Sequence, residues 1–111
     1  MIAAPCPVQG DEFVDEITCC RYEDFVKALA DETRQAILEL LQAQEMNVGD
    51  IAAHFRVTQP TISYHLGLLR RAGLVVARRE GRQVVYAANR CCLAKCTRRL
   101  VETWIGSEKK P

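Results

Sequence analysis

Apolar side chains recur at three- and four-residue steps in four parts of the chain, a spacing typical of amphipathic helices. The first part covers residues 16–30, and the second follows Asp31, a good N-cap residue. The third follows Thr58, another N-cap residue, with Pro60 in the first turn, where its missing N–H costs nothing. The fourth follows Asn89. The apolar positions of these four helices are Ile17, Tyr22, Phe25, Val26 and Leu29; Ala36, Ile37, Leu40 and Leu41; Ile62, Leu66 and Leu69; and Cys92, Leu93, Cys96, Leu100, Val101 and Trp104.

A short helix is predicted between the second and third of these helices. Residues 47–50 interrupt the second helix, and residues 51–55 form one further helical turn. The connector Arg56-Val57 is tight and leads directly to the cap at Thr58. A short helix, a tight turn and a longer capped helix together predict a helix-turn-helix.

A β-hairpin is predicted after the long helix, which stops at Gly73, a good C-terminal residue. Residues 74–79 and 83–87 are rich in β-branched side chains, as strands are. Gly81 lies between them and supplies the positive φ that a hairpin tip needs. A hairpin directly after a helix-turn-helix is typical of a wing.

The order of these elements predicts a mostly α fold with a small β-hairpin, a winged helix-turn-helix with four helices before the hairpin and a fifth after it. We expect a flexible N-terminal arm over residues 1–15, the folded domain over residues 16–105 and a C-terminal tail over residues 106–111. A chain of 111 residues is one domain, and small proteins of this size often complete their core by dimerising.

Composition excludes several classes of function. No apolar run approaches the ~18 residues that a membrane span needs, and the first residues lack the basic start of a secretory signal. We therefore expect a cytoplasmic protein with no membrane partner. The chain is too short to build a deep substrate cleft, and it shows no Cys–His–Asp arrangement or phosphate loop, so we expect no enzyme. A small thiol enzyme or metal carrier is the alternative, and it would leave the helix-turn-helix without a role.

The net charge of +1 hides a strong asymmetry along the chain. Residues 11–45 carry ten acids and three bases, whereas residues 56–82 carry six arginines and one acid. Residues 89–111 carry six bases and two acids. A basic middle in a near-neutral protein indicates a local surface for a polyanion, although a solvated basic face would look the same.

The long helix and the hairpin together carry the residue types that read DNA. A helix fits the major groove when its first turns offer amide, hydroxyl or imidazole groups to base edges, and basic hairpin residues can meet phosphates or the minor groove. Taken singly, a lone histidine or paired strand arginines have simpler explanations, such as a surface position or the blunting of a sheet edge. In this order they predict binding of double-stranded DNA. The candidate DNA-binding residues are Gln59, Thr61, Ser63, Tyr64, His65, Arg78, Arg79 and Arg82.

Four segments carry a family resemblance: ALADETR at 28–34, VTQPTISYHL at 57–66, LRRAGLV at 69–75 and REGRQVVY at 79–86. Together they resemble the ArsR/SmtB family of bacterial metal-responsive repressors, over roughly residues 22–105. The resemblance implies a winged-helix homodimer in which the first and last helices pair across the two-fold axis. It also implies operator binding without ligand and release when an inducer binds.

The cysteines are placed at the two ends of the chain, with none between residues 21 and 90. This placement suits reduced thiols with a chemical role better than a disulfide scaffold. Cys92 and Cys96 share a face of the last helix, Cys91 adjoins them, and Cys19 and Cys20 lie in the first helix or at its entry. Three converging thiolates suit As(III), Cd(II), Pb(II) or Hg(II), and four suit Zn(II). Positive charges that favour thiolates come from Arg90, Lys95 and Arg98.

The sequence departs from the family pattern where many members bind metal. Residues 46–50 have no thiol, although many arsenic and cadmium sensors carry a Cys-Val-Cys-like motif there, and the histidine–carboxylate zinc pattern of other members is missing from the last helix. The inducer therefore stays open. The candidate ligands are Cys91, Cys92 and Cys96, completed by Cys19 or Cys20, with As(III) as the first choice. A thiol redox or persulfide sensor is the alternative, and the isolated Cys6 is more simply an arm thiol or a small buried hydrophobe.

Overall fold

The computed structural model describes residues 21–106 and confirms a mostly helical chain with a small antiparallel hairpin. The predicted N-terminal arm, the start of the predicted first helix, and Cys6, Cys19 and Cys20 lie outside the described residues. The elements are α1 (Tyr22–Ala28), α2 (Glu32–Ala43), β1 (Met46–Asn47), α3 (Val48–Ala52), α4 (Gln59–Arg71), β2 (Val75–Glu80), β3 (Gln83–Ala88) and α5 (Arg90–Trp104).

The predicted capping residues lie at the helix ends where they were expected. The side-chain oxygens of Asp31, Thr58 and Asn89 accept hydrogen bonds from backbone N–H groups two or three residues on, at 2.7, 3.4 and 3.2 Å. Gly73 follows α4 with φ 82°, and Gly81 occupies the hairpin tip with φ 66°, which glycine adopts without strain. Local chemistry thus sets the ends of α2, α4 and α5.

Two helix boundaries differ from their predictions. Helix α1 begins at Tyr22, because Arg21 has an extended backbone (φ −82°, ψ 106°), rather than running through from residue 16. Helix α3 occupies Val48–Ala52 instead of residues 51–55. The cause is Asn47, whose side-chain oxygen accepts from the Asp50 N–H at 2.8 Å and caps the helix three residues earlier.

A third strand, β1, was not predicted from the sequence. Its two residues pair antiparallel with β3, Met46 opposite Tyr86 and Asn47 opposite Val85, which makes the sheet order β1-β3-β2. Two residues are too few for an alternating pattern, so only the long-range pairing reveals the strand. The pairing joins the base of the wing to the end of α2.

The core is built around α4. Ile62, Leu66 and Leu69 are 0% exposed and contact side chains from α1, α2, α3 and β2. Cys92 and Cys96 of α5 are also buried in this cluster. The spacing of the α4 residues puts them on one helix face, which leaves the opposite face to solvent.

We predict that Leu66→Ala lowers the free energy of unfolding by about 2–5 kcal/mol, because it removes buried methyl groups and leaves a cavity. Urea unfolding followed by circular dichroism measures this change. Val57→Ala is the control: Val57 is 40% exposed, and we expect a change of about 0.5 kcal/mol. Equal losses in the two variants would show that α4 is not the centre of the core.

Candidate nucleic-acid interface

Four of the five predicted base-reading residues of α4 are exposed. Gln59, Thr61, Ser63 and Tyr64 lie on the solvent side of the helix, and Tyr64 is 62% exposed. They follow Thr58, whose hydroxyl lies 3.1 Å from the hydroxyl of Thr61. The first two turns of α4 therefore present an amide, two hydroxyls and a phenol to whatever approaches this face.

His65 does not belong to this exposed set. Its side chain is 9% exposed, and its Nδ1 lies 3.2 Å from Nη1 of Arg34. Position 65 comes three residues after Ile62 and four before Leu69, so it lies on the buried stripe of the helix. The prediction that His65 meets base edges with the other four does not match this position.

Arg34, in the first turn of α2, has a structural role that its position in the sequence does not reveal. It is partly buried, and its Nε donates to the carbonyl of Ala28 at 2.9 Å, while Nη2 donates to the carbonyl of Lys27 at 3.5 Å. With Nη1 at His65, one guanidinium connects the end of α1, the start of α2 and the middle of α4. Only these long-range contacts show its role.

The three candidate arginines of the wing differ in their surroundings. Arg79 and Arg82 are exposed. Arg78 is partly buried, and its Nη2 lies 2.6 Å from Oε1 of Glu45 and 2.7 Å from Oε2 of Glu80. Side chains alternate along a strand, so Arg78 and Glu80 share one face of β2 and Arg79 occupies the other.

The ion pairs with Glu45 and Glu80 stabilise the charged form of Arg78. Hydrogen bonds to Glu45 and Glu80 raise the pKa of Arg78, and the bond from Arg78 lowers the pKa of Glu45. Both side chains remain over one third exposed, so this contact orients Arg78 toward α2 and adds little stability. Sequence analysis did not identify Glu45, which is 33 residues away along the chain.

The cysteines of α5 are divided between core and surface. Cys92 and Cys96 are buried, whereas Cys91 is partly exposed. Over residues 21–106, no group of three or more histidine, cysteine or acidic side chains is placed to hold a metal ion. The predicted convergence of Cys91, Cys92 and Cys96 into one three-thiolate site is therefore not formed by the described residues alone.

The start of α1 lies close to this part of α5. The guanidinium of Arg99 stacks over the ring of Tyr22, 4.2 Å from its centroid. Arg99 is three residues after Cys96, about one helical turn, and Cys20 is two residues before Tyr22. None of the helices over residues 21–106 has the length and apolar character of a membrane span.

A buried α4 stripe, an exposed polar α4 face and a basic wing define a winged-helix DNA-binding protein. A family model described as "Bacterial regulatory protein, arsR family" matches residues 31–76. The chain is 43% identical over 63 residues to the transcriptional repressor SdpR of Bacillus subtilis, a match that covers 57% of this chain and 70% of SdpR. It is 46% identical over 76 residues to the HTH-type transcriptional regulator CmtR of Mycobacterium bovis, covering 68% of this chain and 64% of CmtR.

A solved structure of a possible transcriptional regulator is also similar to this chain. A crystal structure described as a possible transcriptional regulator for arsenical resistance superposes with a TM-score of 0.68 and 34% identity, covering 73% of this chain and 84% of that one. The chain belongs to the ArsR family of bacterial transcriptional regulators. This family consists of DNA-binding regulators rather than enzymes, as the sequence predicted.

The cap at Asp31 makes stability depend on pH. Burial raises the pKa of Asp31, but hydrogen bonds from the backbone N–H groups of Arg34 and Thr33 lower it. The hydrogen bonds outweigh burial, so the pKa lies below the ordinary 3.8. Because the folded pKa is depressed, the stabilisation is fully present above the unfolded value and is lost as pH falls through the folded value.

We predict that Asp31→Ala lowers the free energy of unfolding by about 1 kcal/mol at neutral pH, and that the difference from wild type narrows in acid. Urea unfolding at a series of pH values measures both effects. Asp31→Asn is the control, because its amide oxygen still caps α2 and does not titrate. If the difference in the free energy of unfolding between wild type and Asp31→Ala stayed constant across the acid range, the Asp31 carboxylate would not be the titrating cap of α2.

Proposed function

We propose that this chain is a repressor that binds operator DNA as a homodimer and dissociates when a thiophilic inducer, foremost As(III), binds its cysteines. The observation that carries the DNA-binding part is the division of α4, whose buried stripe leaves Gln59, Thr61, Ser63 and Tyr64 on the opposite, exposed face. A helix of this kind can enter the major groove without disturbing the core.

The exposed residues of α4 suit base readout. The amide of Gln59 can pair with adenine through two hydrogen bonds, and the hydroxyls of Thr61 and Ser63 can donate to or accept from several bases. Tyr64 adds a ring that can pack on a thymine methyl and a hydroxyl that can reach a phosphate. We assign these four residues to the DNA and assign His65 to the interior.

The wing is proposed to contact phosphates or the minor groove through Arg79 and Arg82, which are exposed. Arg78 has a different role in this proposal. Its ion pairs with Glu80 and with Glu45, in the connection between α2 and β1, hold its side chain against the protein, so Arg78 orients the wing instead of contacting the DNA backbone.

We predict that Arg79→Gln and Arg82→Gln weaken DNA binding and flatten its salt dependence. Removal of one phosphate-binding cation reduces the slope of log affinity against log salt by about 0.9, or about 1.8 for a homodimer. Fluorescence anisotropy with a labelled duplex selected from a random-sequence pool measures the slope. Arg78→Gln is the matched comparison, with an unchanged slope. A slope change at Arg78 and none at the other two would reverse the assignment.

Homodimerisation is supported by apolar side chains left exposed on α1 and at the end of α5. Isolated apolar residues on a surface are normal, but a contiguous set favours an interface. Binding to successive major grooves requires the two copies of α4 in such a dimer to lie about 34–36 Å apart. The exposed apolar residues are Val26 (41%), Val101 (43%), Trp104 (73%) and Ile105 (77%).

Thiophilic induction is supported by the cysteines of α5 and the nearness of α1. The Tyr22–Arg99 contact brings the start of α1 within about one helical turn of Cys96, and Cys19 and Cys20 precede Tyr22 by three and two residues in the sequence. Three thiolates from the two segments would hold As(III), Cd(II), Pb(II) or Hg(II), and a fourth would favour Zn(II). The segments can come from one subunit or from two.

A structural path connects this site to the DNA-binding face. Asn89 caps α5 by accepting from the Cys92 N–H, and its own N–H donates to the carbonyl of Leu74 at 2.8 Å, just after α4. Because Cys92 and Cys96 are buried, a ligand that binds them must change the packing of α5. The inducer then lowers DNA affinity by the same factor by which DNA lowers inducer affinity.

We predict that Cys92→Ala and Cys96→Ala, made separately, leave DNA binding in place but raise the As(III) concentration needed for release by about tenfold or more, because each removes one of three ligands. Alanine is preferred to serine because a hydroxyl would be buried at these positions. The anisotropy assay is run on reduced protein, with Cys6→Ala as the control. Normal release from both variants would exclude a site on α5.

Thiol oxidation is a second candidate mechanism. It is favoured by the partial exposure of Cys91, because exposed thiols oxidise more readily and a disulfide needs only two thiols. The same assay separates the alternatives. Release from DNA by Cd(II), Pb(II), Zn(II) or Hg(II) but not by As(III) would identify a different metal as the inducer. Release by peroxide with no response to any metal would show that the protein senses oxidation instead of a metal.

A further inference from the structure

The two histidines of the chain make opposite hydrogen bonds. Nδ1 of His54 lies 3.0 Å from the backbone carbonyl of Asp50, and Nδ1 of His65 lies 3.2 Å from the guanidinium of Arg34. A carbonyl only accepts, so His54 must carry a proton on Nδ1. A guanidinium only donates, so His65 must lack one there. Protonation therefore preserves the bond of His54 and abolishes that of His65.

A protonated imidazole at position 65 could not make this contact. Arg34 is permanently charged, and an imidazolium would place a second N–H and a second positive charge against it. The carboxylate of Asp31, at the N-cap of α2, also interacts electrostatically with His65, and it accepts from the backbone N–H of Arg34 at 3.2 Å. Helix α1 faces the pair through the carbonyls of Lys27 and Ala28, which hold Arg34 in place.

The contact also determines how α4 is presented. Arg34 is anchored to the end of α1, and through His65 it reaches the same turn of α4 that exposes Ser63 and Tyr64. The ring of Tyr64 lies edge-on to that of His65, with centroids 5.5 Å apart. A shift of His65 would therefore move Tyr64, one of the side chains proposed to contact DNA.

We propose that His65 is a positioning residue for DNA binding: its neutral imidazole accepts a hydrogen bond from Arg34 and holds the exposed face of α4 in the orientation that fits the major groove. The inference rests on the proposed role of α4 in DNA binding. DNA binding then requires a neutral His65 inside the helix-turn-helix, in addition to the exposed residues of α4.

The decisive variant is His65→Asn. The amide oxygen of asparagine takes the place of Nδ1, can accept from Arg34, and does not titrate. DNA affinity of the full chain is measured by anisotropy with the selected duplex at about pH 7.5 and about pH 5.5, which span histidine titration. We expect wild type to lose about tenfold in affinity at the lower pH, comparable to losing a hydrogen bond to a charged group, and His65→Asn to lose less than about twofold.

Three further variants complete the design. His54→Asn is the matched control and is expected to keep the pH dependence of wild type. His65→Leu removes the acceptor and is expected to bind about tenfold more weakly at both pH values. Arg34→Lys keeps the charge but not the three-way contact, so it is expected to lose the pH dependence as well. Circular dichroism checks that each variant is folded.

The outcomes separate this inference from the proposed function. A pH dependence that persists in His65→Asn or disappears in His54→Asn overturns the positioning role, as does a flat profile in wild type. If His65→Asn does not fold, the profile of Arg34→Lys decides in the same way. If wild type binds no duplex at either pH, the assignment of α4 to DNA fails, and not only the role of His65.

Discussion

The division of α4 into a buried and an exposed face is the constraint on which the other features of the structure depend. Ile62, Leu66 and Leu69 fix the rotation of the helix about its axis, because any other rotation would expose three large apolar side chains. Thr61, Ser63 and Tyr64 then point outward, whereas His65 lies on the buried stripe. Packing energy alone thus decides which residues of the helix are available to a partner, before any partner contributes.

Charge is distributed on this scaffold in two ways. Some arginines are held by other groups: Arg34 by two carbonyls and a histidine, and Arg78 by two carboxylates. Others, such as Arg79 and Arg82, are exposed at the wing. A near-neutral chain can therefore present a basic surface where the wing meets solvent and use its remaining cations to orient that surface.

The same packing connects α5 to α4. Asn89, the N-cap residue of α5, donates its N–H to the carbonyl of Leu74, just after α4, and α5 buries Cys92 and Cys96 in the core around α4. Thiols in such a position cannot change partners without a response from their neighbours, because protein interiors are close-packed. Sensing and DNA binding are coupled in this proposal through one shared core.

The features that depend on near neighbours could be predicted from the residues alone: the caps at Asp31, Thr58 and Asn89, the positive φ of Gly81, and the apolar stripe of α4. These rest on contacts within about four residues, so residue type and spacing are sufficient to predict them. The features that join distant segments became visible only in the folded chain. The Arg34–His65 contact spans 31 residues, the Glu45–Arg78 pair spans 33, and β1 exists only by pairing with β3. A periodic pattern predicts which face of a helix is buried. The partner of a polar group on that face depends on which distant segment packs against the helix.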